Sequence, residues 1–102
     1  MAFTDLIQAT PQNLSRIPER AGVYKLFHKS ELIYIGRSSG GSSTIKTRIN
    51  AHYNGKSGPC VQKMTAYKYD TTVADVTTER ELLQNYKNAH GGKLPPCNDK
   101  MP

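Results

Sequence analysis

The stretch AGVYKLFHKSELIYIG, residues 21–36, decides how the chain is read. Two runs of strand-forming residues, Gly22–Phe27 and Leu32–Gly36, flank a few polar positions, which is the pattern of a β-hairpin. Side chains alternate between faces along a strand, and directly opposed residues share a face. Pairing Tyr24 with Tyr34, about a centre at Lys29, puts Tyr24, Leu26, Leu32 and Tyr34 on one face. Val23, Phe27, Ile33 and Ile35 then fall on the other, which buries well apart from Lys25. A one-residue slip would part the tyrosines. A shared face therefore requires a loop of odd length, or a bulge, around His28 to Ser30. Gly22 and Gly36 each lie two positions from a tyrosine, where a missing side chain opens space beside it.

Outward from the hairpin, residues 10–17 read as a short helix, with Thr10 as cap and Pro11 in its first turn. The run RSSGGSST, residues 37–44, reads as a flexible loop. Residues 44–54 form a helix with a narrow apolar stripe of Ile45, Ile49 and Tyr53, broken by NGKSGPC. Residues 61–69 alternate weakly and give a third strand. The strongest helix spans 78–89 and stops at Gly91 and Gly92. The expected fold is therefore α/β: a three-stranded antiparallel sheet flanked by helices. The 102 residues imply a single domain, 1–102, with its core at about 20–98.

Lys and Arg number 14 against 8 Asp and Glu, a formal charge of +6, which favours a polyanionic partner. A local group of Arg37, Lys46, Arg48, Lys56 and Lys63 suggests a folded basic surface. No apolar run approaches a membrane span, and residues 1–16 do not read as a secretion signal, so a cytoplasmic protein is expected. Cys60 and Cys97 form no CxxC and have no zinc-type histidines nearby. In a reducing compartment two free thiols are the expectation; a disulfide is possible but not demanded.

Arg48 and His52 stack one turn apart beside the apolar stripe, where a guanidinium can face the sheet or grip a phosphate. Glu79, Leu82, Leu83 and Tyr86 share the inward face of the last helix, while Glu81 lies with Asn85 and Asn88 on the wet side. Thr78 and Glu81 have capping-box spacing. A carboxylate on an apolar stripe is costly unless it is paired or holds a cation, so Glu79 is a candidate ligand for Mg²⁺ or Mn²⁺.

Together, Gly22-Val23-Tyr24, Tyr34-Ile35-Gly36 ten residues on, Arg48, Glu79 and the PPxN ending at Asn98 resemble the GIY-YIG nuclease family. That family includes homing endonucleases, some restriction enzymes and the incision domain of bacterial excision repair. The resemblance implies a metal-dependent endonuclease that hydrolyses phosphodiester bonds in DNA. It gives Tyr24 and Tyr34 the nucleophilic water, Arg48 the transition-state charge and Glu79 the divalent metal. Asn98 would organise the site or contact the phosphate, and His52 would assist the nucleophile or the phosphate. Arg37 matches a position often held by lysine, and with Lys46, Lys56 and Lys63 it would contact nucleic acid. A chain this short has no room for a separate DNA-reading domain, so intrinsic sequence specificity should be low unless a homodimer or a partner protein supplies it. The alternatives are a non-catalytic nucleic-acid-binding module on the same fold and a small interaction protein whose charge serves solubility.

Overall fold

The computed structural model describes residues 2–102. Four antiparallel strands form one sheet in the order β1-β4-β2-β3: β1 (Ile7–Gln8), β2 (Gly22–His28), β3 (Glu31–Ser38) and β4 (Ala66–Asp70). The helices are α1 (Pro11–Ser15), α2 (Ile45–Tyr53), α3 (Pro59–Gln62) and α4 (Val76–Ala89). The expected α/β class holds, with four strands in place of three. The extra strand is β1, too short to show a period of its own. It completes the edge of β4, and Thr4 continues the pairing by donating its amide to the Tyr69 carbonyl at 2.9 Å.

The hairpin register differs from the expected one. Tyr24 opposes Gly36 and Leu26 opposes Tyr34, whereas nearer the turn Phe27 opposes Leu32 and His28 opposes Glu31. The break between these registers is a bulge at Ile33. The connecting turn has two residues, Lys29 and Ser30, with φ of 48° and 72°. The shift is an even number of residues, so both tyrosines still share a face. The bulge also turns Ile33 away from Ile35 and into the main core beside Tyr24 and Leu26.

That core lies between the sheet and α1–α3. It contains Leu14 and Ile17, Leu26, Ile45 and Ile49, Val61, Met64 and Tyr67. On the opposite sheet face α4 packs against β3, where Leu83, Val23 and Ile35 are buried. Two further expectations are corrected here. Residues 61–64, read as the start of a strand, instead finish α3 and its turn, because Pro59 sets a helical first turn. Helix α4 begins earlier than residue 78 and is capped by Asp75, whose Oδ1 accepts the Thr78 amide at 2.6 Å. Thr78 and Glu81 therefore form no capping box. Gly91 and Gly92 do end α4, at φ of 65° and 86°, and Gly92 donates to the Lys87 carbonyl at 2.8 Å.

The cysteines are not free: Cys60 and Cys97 form a disulfide, with Cα atoms 5.6 Å apart. It ties α3 to the C-terminal tail, which runs along the free edge of β3, where Cys97 donates its amide to the Ile33 carbonyl at 2.8 Å. No described helix is long and apolar enough to cross a membrane.

Candidate active site

Tyr24 is fully buried, and its ring lies across Gly36 on the neighbouring strand. A Cβ at position 36 would stand 2.5 Å from Tyr24 Cζ and 2.6 Å from its hydroxyl oxygen. The glycine that closes YIG is thus required by the phenol that closes GVY. Gly22 has a different reason: a Cβ there would meet the Asp70 carbonyl oxygen at 2.6 Å. Gly36→Ala is expected to displace Tyr24 and cost about 1–3 kcal/mol, the range for an overpacked core. Denaturant unfolding measures this, and an unchanged midpoint would refute the packing argument.

The Tyr24 hydroxyl and His52 Nε2 are hydrogen-bonded at 2.9 Å. Tyr34 completes an aromatic triangle, its ring centroid 6.2 Å from that of Tyr24 and 5.1 Å from that of His52. His52 is also buried, since α2 presents it beside Ile45 and Ile49. Burial, with the Arg48 charge adding to it, pushes the His52 pKa down to about 4, so the imidazole is neutral at pH 7. Its Nδ1 is buried and has no partner. Burial raises the Tyr24 pKa far above the usual phenol range, and Tyr34 adds to this while Arg48 opposes it. Tyr34 is raised for the same first reason, again against Arg48. Arg48 itself is exposed, at the mouth of the site.

Glu79 stands in the first turn of α4, half-buried, with its side chain 14% exposed. Its carboxyl group lies 3.7 Å from Arg37 Nε, and Arg37 also donates to the Ala74 carbonyl at 3.1 Å. Burial raises the Glu79 pKa, and Arg37 and Arg48 oppose that rise. Arg37, expected to contact nucleic acid, is thus engaged with the acidic member of the site. Lys56 and Lys63 are exposed and Lys46 half-buried, so these three remain on the surface.

Asn98 grips the edge of β3 between Tyr34 and Gly36. Its Oδ1 accepts the Ile35 amide at 3.0 Å and its Nδ2 donates to the Ile35 carbonyl, also at 3.0 Å. One side-chain amide thereby stands in for a neighbouring strand. Two cavities flank Tyr34. One, of about 260 Å³, is lined by Glu79, Asn98 and the tail to Pro102. The other, of about 320 Å³, is lined by Arg48, His52 and the Cys60–Cys97 bridge. Asp99 lines both; it carries no signal in the sequence, because an exposed tail has no period to read.

A single carboxylate facing a cavity of this size suits a hard cation that keeps most of its waters, as Mg²⁺ does. Among the described residues no cluster of three or more His, Cys, Asp or Glu offers an all-protein metal cage.

The fold and the site define a small α/β domain with tyrosines, a histidine, an arginine and a carboxylate gathered around one edge strand. No protein-family model matches the chain. It is similar to the UvrABC system protein C of Mycoplasma mycoides subsp. mycoides SC, with 28% identity over 79 residues. The match takes in 74% of this chain and 14% of that protein, so the chain spans only a small part of its relative's length.

Proposed function

We propose that the chain is a GIY-YIG-type endonuclease that hydrolyses phosphodiester bonds in DNA with the help of Mg²⁺ or Mn²⁺. The observation that carries this reading is the convergence of Tyr34, His52, Arg48 and Glu79 on two cavities that share Tyr34, with Tyr24 buried behind them and hydrogen-bonded to His52. The partial likeness to UvrABC system protein C supports it.

A phenol with a raised pKa is a poor base by itself. The bond to neutral His52 removes the difficulty. Tyr24 would take a proton from the attacking water as it passes its own to Nε2, so no free phenolate has to form; because the phenol is fully buried, that water must enter past Tyr34. Tyr34, with one cavity on each side, positions that water against the phosphorus. Arg48, at the mouth of the site, meets the negative charge that grows on the phosphoryl oxygens. Asn98 fixes β3, and with it the place of Tyr34. Glu79 would hold the divalent ion, which supplies Lewis-acid stabilisation of the phosphoryl and leaving oxygens.

The test is cleavage of supercoiled, branched and single-stranded DNA by the purified chain, with Mg²⁺ and with chelator. Metal-dependent cutting is expected. Salt-sensitive binding without any cutting would select the non-catalytic binding module instead.

A further inference from the structure

Helix α4 covers only the β3 side of its sheet face. The β2–β4 part of that face carries Lys25 and Lys68, which are directly opposed in the strand register, beside half-exposed Phe27 and Phe3. Like charges placed directly opposite each other on a sheet are destabilising. No carboxylate forms an ion pair with either lysine among the described residues. Asp70, two residues along β4 on the same face, is already saturated by the Ala2 amide at 2.6 Å and by both the amide and hydroxyl of Thr72. The single ion pair among the described residues belongs to Arg37 and Glu79. What supports the two ammonium groups is aromatic: Lys25 Nζ lies 4.4 Å from the Phe3 ring centroid, and Lys68 Nζ lies 5.7 Å from that of Phe27. Burial and the neighbouring Lys68 both lower the Lys25 pKa, so the site favours an added negative charge.

We propose that this face binds single-stranded nucleic acid, with a backbone phosphate between Lys25 and Lys68 and an unpaired base against Phe27 or Phe3. Paired cations recognise the backbone, and half-exposed rings accept bases only when these are unstacked. The next row of the same face, two residues along, holds Val23 opposite Arg37, the partner of Glu79. The surface therefore adjoins the proposed cutting site without being part of it, and it rests on that reading only for its role in holding the same substrate.

Binding of a labelled single-stranded oligonucleotide to the full chain, without metal, is measured from 50 to 200 mM salt. Losing the one single-strand phosphate contact should flatten the slope of log K against log salt by about 0.7. The double variant Lys25→Gln/Lys68→Gln is expected to show that loss, with a melting temperature no lower than the wild type's. The charge-matched control Lys87→Gln/Lys93→Gln should keep the full slope. An unchanged slope in the first variant, an equal loss in the control, a loss confined to duplex DNA, or no binding by the wild type would each overturn the proposal. Cleavage is scored separately. A lost slope in a protein that cuts nothing supports this surface and counts only against the cutting site.

Discussion

Glu79→Gln is expected to lower metal-dependent cleavage by roughly 10²–10³-fold or more, the range for removing one group that stabilises transition-state charge. The substitution keeps shape and removes charge. The carboxylate is bound to the rest of the protein by one ion pair, to Arg37, and such pairs contribute at most about 1 kcal/mol. Folding should therefore survive, and the melting temperature should move by only a few degrees. A metal titration separates the possible causes. If Glu79 holds the ion, residual activity will need far more Mg²⁺; if it only orients Arg37, the metal dependence will stay put. Tyr24→Phe should lose activity on a similar scale, because the hydroxyl proposed to take the water's proton is gone, and its bond to His52 with it. The acid side of the pH profile follows from both groups. His52 accepts a proton only while neutral, and it is neutral above a pKa of about 4. Glu79 must be ionised, and burial raises its pKa. Activity is thus expected at neutral pH, and should fall as acid protonates Glu79 and then His52. Full cleavage by Glu79→Gln at wild-type metal concentrations would sink the assigned role.

Much of this site was legible because it rides on regular elements. Period-two alternation put Tyr24 and Tyr34 on one face only on the condition of an odd loop or a bulge; the turn has two residues, and the bulge at Ile33 meets that condition with a register offset by two near the site. The four-residue spacing of Arg48 and His52 placed them together on α2, and the i, i+3, i+4 pattern turned Glu79 inward while leaving Glu81 exposed. Features set by tertiary contact were hidden. The turn at Lys29-Ser30 uses positive φ without the Asn-Gly that announces such turns, so its two-residue length was concealed. Strand β1 owes its existence to the free edge of β4, and two residues carry no pattern. The start of α4 had a readable signal in Asp75, three before Thr78, that the Thr78–Glu81 spacing masked. The Arg37–Glu79 contact joins a strand to a helix 42 positions later (79 − 37), beyond any local rule. The match of Gly36 to the Tyr24 ring was half visible, as a glycine two places from a tyrosine. Which tyrosine it serves depends on the register.

The cysteines lead to the second large effect. Reducing the Cys60–Cys97 bond, or replacing Cys60 by serine, is expected to destabilise the fold by about 4 kcal/mol on the loop-entropy picture. The closed loop spans a sequence separation of 37 and holds α3, β4 and α4, so much of the chain loses a constraint in the unfolded state. For a domain of this size the melting temperature should fall by roughly 15 °C or more. The effect should also be uneven. Cys97 and Asn98 hold the free edge of β3 through Ile33 and Ile35, and the bridge anchors that tail to α3. Without it the Ile35 amide, which donates to Asn98 Oδ1, should exchange with solvent faster than the amides between β2 and β4, whose partners lie inside the sheet. Thermal melts with and without reductant, each checked for free thiols by mass, measure the first effect, and hydrogen exchange measures the second. A melting temperature that stays within about 3 °C while two thiols appear would show that the core alone holds the tail, and the bridge would then be no more than an accident of proximity.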